Sequence, residues 1–274
     1  MKDWVIDTES LSLKAGHRYL LNNIDWQVKR GEHWLVFGMN GCGKTTLLSI
    51  LAGFKQPSRG IVRVLNETYT ANNILNLRKR IGWVSSSFFD QVYSKESAMD
   101  IVLSGKFGTV GLDMNITDAD IKKAKLLLKE LHLRGKIYHP FHLMSKGERQ
   151  NVLIARALIG NPEILMLDEP CTGLDIEARE YLLNTVKDLA ENSGITIVYV
   201  THHTDEIMPE VFKKTLLLKN GITYKMGATE ELFTSSVLRN FLEIETNVET
   251  GKIHGYETSV HVESNLAQLL KAGV

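Results

Sequence analysis

The sequence is short of several things, and each shortage excludes something. Only two of its 274 residues are cysteines, Cys42 and Cys171. Two cysteines do not make a disulfide framework, and a reduced compartment is the expectation. There is no excess charge of either sign, with 32 Lys and Arg against 32 Asp and Glu. A generic basic footprint for nucleic acid is therefore missing, although a local patch is still open. No apolar run approaches the roughly 18 residues of a membrane span. The opening stretch MKDWVIDTES carries acids and lacks the apolar core of a secretory signal. Neither internal repeats nor low-complexity tracts occur. The expectation is a cytosolic protein that does not itself cross a membrane. The remainder is ordinary: 43% hydrophobic and 23% charged residues, which argues against a disordered chain. The length suffices for one large α/β domain or two small ones.

The pattern along the chain alternates. WVIDTESLSL and IDWQV read as strands near the start, and residues 33–38, HWLVFG, as a buried strand. A Gly-rich turn and an apolar helix, TTLLSILAGF, follow. GIVRVLN and LRKRIGWVSS read as further strands, the latter ending near Ser85. From about Phe88 to Arg156 the pattern is helical, which suggests an inserted helical subdomain over about 88–156. Strands and helices then alternate again through EILMLDEP, AREYLLNTVKDLAEN and ITIVYVTHH. KTLLLKNGITYKMG reads as a hairpin, because Asn220-Gly221 suits a type I′ turn. Buried strands alternating with helices predict an α/β fold with a parallel sheet covered on both faces, after an N-terminal β region. One domain over 1–242 leaves residues 243–274 as a C-terminal extension, with five acids and two lysines. Within it YETSVHV reads as a strand and NLAQLLKA as a short helix.

Residues 38–45, Gly-Met-Asn-Gly-Cys-Gly-Lys-Thr, fit the phosphate-loop pattern G-x-x-x-x-G-K-[ST]. Gly38, Gly41 and Gly43 let the backbone fold around an anion, so that N–H groups of Asn40, Cys42 and their neighbours turn inward. The helix start behind the loop adds partial positive charge. Lys44 reaches for the β- and γ-phosphates, the Thr45 hydroxyl suits Mg²⁺, and Thr46 is the next contact to phosphate. By chance the four fixed positions recur in roughly one chain of this length in a hundred, and the flanking strand and helix make coincidence rarer still.

Asp168 and Glu169 end an apolar strand, where open α/β sheets bind ligands. Asp168 is placed to hold Mg²⁺ and Glu169 to polarise an attacking water. The plainer reading of Asp-Glu-Pro, a solvated turn, competes evenly when the motif stands alone. Ser145 and Glu148 have capping-box spacing at a helix start. The same helix start offers a second anion site, with Gly147 allowing close approach.

GMNGCGKTT, MSKGE, ILMLDEP, GLD at 173–175 and His202 in VTHH occur in this order at suitable spacing. As a set they resemble the Walker A, signature, Walker B, D-loop and H-loop motifs of an ABC-type ATPase, over about residues 4–242. GWVSSSF, SKGERQ, DEPCTGLD and THHTDEI look like single-cassette proteins related to molybdate-type transport ATPases. The resemblance implies a P-loop NTPase core, ATP and Mg²⁺ as ligands, and a head-to-tail homodimer with two ATP molecules at its interface. Ser145 and Gly147 of one protomer then touch the γ-phosphate held by the other, Asp175 links the sites, and His202 contacts the γ-phosphate and orients Glu169. It further implies an ATP-hydrolysing transporter subunit, cytoplasmic and peripheral on the inner membrane face, with a separate transmembrane permease. The alternative is a soluble ABC ATPase acting on nucleic acid or the ribosome. One cassette without a paired-cassette linker or basic excess disfavours it, and no direct nucleic acid contact is expected. A third reading, a nucleotide-binding regulator with little hydrolysis, fits poorly with Lys44, Asp168, Glu169 and His202 all in place.

The chain departs from the family pattern in places. Ser86 stands where the Q-loop glutamine is usual. Either Ser86 or Gln91 takes that role at the metal. Ala15 falls where an aromatic stacks on adenine, which leaves Tyr19 or His17. Lys146 and Glu148 replace the usual glycine and glutamine of the signature, and Glu148 is expected to fold back as a cap. His139 and His142 lack further ligands at metal spacing, so a loop role is expected. Phe88, Phe89 and Phe107 are either core residues or a partner groove. Cys42 and Cys171 read as small, partly buried thiols, and Cys42 in this electropositive loop is expected to favour the thiolate only if its sulfur is accessible.

Overall fold

Aliphatic and β-branched runs without polar alternation need cover on both faces, and four such runs form the centre of the molecule. The computed structural model describes residues 3–93, 95–109, 111 and 115–242. Strands β1 (Trp4–Ala15) and β2 (Arg18–Lys29) pair antiparallel, and β3 (Trp34–Phe37) leads into helix α1 (Lys44–Leu51). Strands β4 (Arg59–Val64) and β5 (Glu67–Thr68), helix α2 (Ile74–Lys79) and strand β6 (Ile81–Ser85) follow. Helices α3 (Ser86–Phe89), α4 (Ala98–Gly105), α5 (Asp118–Glu130) and α6 (Lys146–Leu158) come next. Then β7 (Ile164–Asp168), α7 (Ile176–Asn192), β8 (Thr196–Thr201), β9 (Lys214–Lys219) and β10 (Ile222–Ala228) precede the short helices α8 (Thr229–Leu232) and α9 (Ser235–Leu242).

Two sheets result. One is antiparallel, in the order β2-β1-β4-β5; the other has six strands in the order β10-β9-β3-β8-β7-β6. In the larger sheet all pairs are parallel except β9 with the edge strand β10. Every residue of β3, β6, β7 and β8 is buried. Register brings their carboxyl ends level: Phe37 opposite Thr201, Asp168 opposite Val200, and Ser85 opposite Asp168. Four connections therefore leave the sheet along one edge, where α/β sheets place their ligands.

The helices between β6 and β7 begin with side-chain caps. Ser97 with Asp100, Thr117 with Asp120 and Ser145 with Glu148 form capping boxes that start α4, α5 and α6. Both α4 and α5 pack against α6. Leu77-Arg78-Lys79 closes a helix rather than opening a strand, which corrects the strand reading of LRKR. With Leu77 the one buried residue of α2, the segment is too short and too exposed to show helical periodicity. Asn220 and Gly221 have φ of 49° and 78°, the doubly left-handed pair of a type I′ turn. Phe89 and Phe107 are buried. Phe88 packs on Phe54, Trp83 and Phe89 with ring centroids 4.9–5.2 Å apart, so the aromatic cluster is core. The strand and helix read in the C-terminal extension lie outside the described residues. No described helix is long and apolar enough to cross a membrane.

Candidate active site

The loop from Gly38 to Gly43 is shaped by what surrounds it. A Cβ on Gly38 would run into the Leu218 carbonyl oxygen and come within 2.6 Å of Cys42 Sγ, so no side chain fits. Gly43 has φ +111° and would place a Cβ 2.9 Å from the Leu20 carbonyl oxygen, a conformation and a space that both demand glycine. The β9–β10 turn braces the loop from outside. Gly221 N–H donates to the Cys42 carbonyl at 2.9 Å, and Asn22 N–H donates to the Gly221 carbonyl at 2.8 Å. Asn40 and Gly41 lie at the exposed outer edge. Helix α1 starts at Gly43 without a side-chain cap or an acid in its first turn. The first-turn N–H groups of Lys44, Thr45 and Thr46 are thus available to an anion.

Lys44 is buried at the centre of this arrangement. Its Nζ donates to the carbonyls of Gly38 at 2.7 Å and Met39 at 3.2 Å. It also lies 3.0 Å from Glu169 Oε1. The same oxygen is 3.1 Å from His202 Nδ1, which leaves β8 at its carboxyl end. Glu169 reaches this position through a left-handed backbone, φ 49°, pinned by its N–H to the Val200 carbonyl at 2.9 Å. Such a conformation costs a non-glycine residue on the order of 1–3 kcal/mol and concentrates at functional sites. Burial works against the charged form of Glu169, but Lys44 and then His202 outweigh it and hold its carboxyl below the ordinary range. His203 packs against His202 at a tilt of 38°, with ring centroids 3.9 Å apart, and is exposed.

Asp168 behaves oppositely. Burial pushes its carboxyl above the ordinary range, and neighbouring Glu169 adds to this, despite hydrogen bonds from Thr45 and Ser85. Ser85 Oγ donates to Oδ2 at 2.9 Å. Asp168 Oδ1 is buried with no hydrogen-bond partner among the described residues. A buried carboxylate oxygen left over beside the Thr45 hydroxyl is an all-oxygen donor set, and it fits Mg²⁺. Ser85 was missed in the sequence, where nothing distinguishes it from Ser86; the strand register that puts it opposite Asp168 does.

A cavity of about 220 Å³ opens beside these groups, lined among others by Thr45, Ser86, Gln150, Asp168 and Glu169. Ser86 Oγ donates to Gln150 Oε1 at 2.7 Å. Gln91 is exposed and is not among the lining residues. Gln150, which closes the SKGERQ stretch but carries no role in the sequence reading, is buried in the second turn of α6. Ser145 and Glu148 cap that helix reciprocally, at 3.3 Å and 3.0 Å, while Lys136 pairs with Glu148. Burying a carboxylate near phosphate is thus avoided, as the folded-back Glu148 is held by Lys136 first and by Ser145 next, which lower its pKa. Gly147 has ordinary van der Waals room beside Ala178 and Leu174. Asp175 caps α7 by accepting from Ala178 N–H at 2.8 Å. Tyr19 is exposed with Lys14 Nζ 4.8 Å from its ring centre, and Ala15 and His17 are exposed near it.

Both cysteines are buried, as small thiols packed into the core, and the accessibility on which a Cys42 thiolate depends is not met. Cys42 is 5% exposed and belongs to the core. Burial raises its thiol pKa, and Lys44 and loop N–H groups only partly offset this. The backbone of Cys42 lines the loop while its sulfur turns under it, so the thiolate is disfavoured.

Comparison with known proteins follows the same lines. A family model described as ABC transporter matches residues 21–172. The uncharacterized ABC transporter ATP-binding protein YlmA of Bacillus subtilis is 38% identical over 89% of this chain and 93% of its own length. Among solved structures, cbiO1 of Clostridium perfringens, part of the ABC transporter complex cbiONQ, superposes with a TM-score of 0.70. It is 27% identical, over 88% of this chain and 95% of that one. A dimeric ATP-binding cassette in a post-hydrolysis state bound to ADP and Pi gives a TM-score of 0.71 at 27% identity, covering 81% and 98% of the two chains.

Proposed function

The chain belongs to the ABC transporter family as one of its ATP-binding, ATP-hydrolysing cassettes, and from that premise we propose that ATP closes two copies head to tail and so drives a separate transmembrane permease. The observation that carries the catalytic half of this reading is the meeting of Lys44, Glu169 and His202 on one carboxylate oxygen, at 3.0 Å and 3.1 Å.

Without nucleotide, Lys44 is shared between loop carbonyls and Glu169. Phosphate oxygens entering the loop are stronger partners for the ammonium than neutral carbonyls. Lys44 then turns to the phosphates together with the N–H groups of the loop and of the α1 start. Glu169 is released to accept a proton from a water as that water's oxygen bonds to the γ-phosphorus and the bond to ADP breaks. His202 holds Glu169 in line from the other side. Thr45 and Asp168, with Ser86 beside them, are the groups that would hold Mg²⁺, whose charge would neutralise the phosphates. Ser145, Gly147 and Asp175 face the second copy, and the helical stretch 88–156 acts as the subdomain that brings Ser145 and Gly147 to it. The protein lies on the inner face of the membrane against its permease. That part rests on the family and on cbiO1, which is part of a transporter complex.

Glu169→Gln is the direct test. The amide keeps the shape but cannot take the proton, so turnover falls on the order of 10²- to 10⁴-fold while ATP binding persists. Size exclusion with ATP then shows a doubled mass. Near-normal turnover in the purified variant removes Glu169 from the mechanism. For the permease, affinity purification of the chain from detergent-solubilised membranes should bring down a polytopic membrane protein. Ribosomes or DNA in its place would substitute the soluble reading.

A further inference from the structure

Gln150 is 3% exposed, yet half of its amide has nothing to bond. Oε1 accepts from Ser86 Oγ at 2.7 Å. Nε2 is buried without a hydrogen-bond partner among the described residues. The side chain lines the same cavity as Thr45, Asp168 and Glu169. A buried amide N–H left unmade costs about 1–3 kcal/mol, so a structural role alone is a poor reason to keep glutamine there. Its acceptor end is fixed by Ser86 and its donor end is open. Thr45, Asp168 and Glu169 reach the cavity from the sheet edge, whereas Gln150 comes from α6, the helix that Ser145 caps, together with Lys146 and Arg149.

Building on the ATPase reading, we propose that Gln150 binds the terminal phosphate of the nucleotide held by its own chain, its Nε2 donating to a phosphate oxygen while Ser86 keeps the amide oriented. This supplies from α6 the amide that position 86 lacks. It ties the α6 start, and with it Ser145 and Gly147, to whether a γ-phosphate is present. A donor amide suits a triphosphate and is left empty by a diphosphate, so Gln150 makes the site discriminate ATP from ADP.

The test is equilibrium binding of ATPγS and ADP, each with Mg²⁺, to the wild type and to Gln150→Leu, Gln150→Glu and Ser86→Ala. Gln150→Leu should weaken ATPγS by roughly tenfold or more, the worth of one hydrogen bond to a charged group, and leave ADP within about twofold. Gln150→Glu should weaken ATPγS further, because an acceptor-only carboxylate then faces phosphate. Ser86→Ala should give a smaller loss of the same selectivity. ADP affinity reports a folded site in each variant, and Gln150→Glu decides the matter where the leucine variant does not fold. Parallel losses for both nucleotides, or an unchanged ATPγS-to-ADP ratio, overturn the role of Gln150 and leave the ATPase reading standing. A wild type that binds neither nucleotide sinks both.

Discussion

At the level of single residues, Lys44 is what separates the two adjacent acids. It lies against Glu169 at 3.0 Å, and burial dominates Asp168, so one carboxyl is pulled below the ordinary range and the other is pushed above it. Neighbouring groups whose environments drive them apart divide acid–base roles at a site. The signs give opposite stability profiles without nucleotide. Glu169, depressed in the folded state, stabilises the fold above its unfolded pKa, and this is lost as pH falls through the lower folded value. Asp168, raised in the folded state, contributes stability below its unfolded pKa, which is lost as pH rises through the higher folded value. Lys44→Met removes the cation that depresses Glu169. Denaturant titrations across the acidic range should therefore show the variant losing less stability on acidification than the wild type. The same acid slope in both proteins would mean that Lys44 does not hold Glu169 in solution.

Among elements, the β9–β10 hairpin turn has a task beyond reversing the chain, because its Gly221 N–H holds the phosphate loop at Cys42. Gly221 has φ +78°, and an added Cβ would lie 2.5 Å from the Leu20 carbonyl oxygen. Gly221→Ala should destabilise the protein by on the order of 1–3 kcal/mol and weaken nucleotide binding with it. Asn220→Gly, which suits the same turn, should do neither. Thermal unfolding paired with nucleotide titration checks both, and an alanine variant with wild-type affinity would detach the hairpin from the loop. The turn itself was legible in Asn-Gly between two apolar runs, as were the central strands from their unbroken apolar character. So were the loop, the acidic strand end and the Ser145–Glu148 cap, because each is a local pattern of a few residues. Helix α2 was not, since one buried leucine makes no period. Ser85 and Gln150 were not either. Their roles follow from a strand register and from a helix docking 64 residues away, at Ser86, which no local pattern encodes. The accessibility of the Cys42 thiol is hidden for a related reason: sequence gives its neighbours along the chain but not the core beneath the loop.

For the molecule as a whole, the proposed dimer needs a surface that would meet the second copy. A single exposed aliphatic side chain is normal on any protein. Here, however, three large exposed ones adjoin residues assigned to nucleotide or partner: Met39 at 55% exposure between Gly38 and Asn40, Leu143 at 67% two residues before Ser145, and Ile176 at 79% beside Asp175. A head-to-tail dimer brings the phosphate loop of one copy against the Ser145 and Asp175 regions of the other, so the three would be covered together. Apolar surface that association removes from water contributes roughly 25 cal/mol per Å², and a charge placed there opposes association without touching the nucleotide pocket. Ile176→Glu, made in the Glu169→Gln background, should therefore abolish or strongly weaken the ATP-induced dimer. ATP affinity measured at concentrations where the protein is monomeric should hardly change. Sedimentation velocity across an ATP series reads the first quantity and equilibrium dialysis the second. A dimer that forms at the same ATP and protein concentrations with glutamate at position 176 would place that residue outside the interface and remove the Asp175 region from the contact.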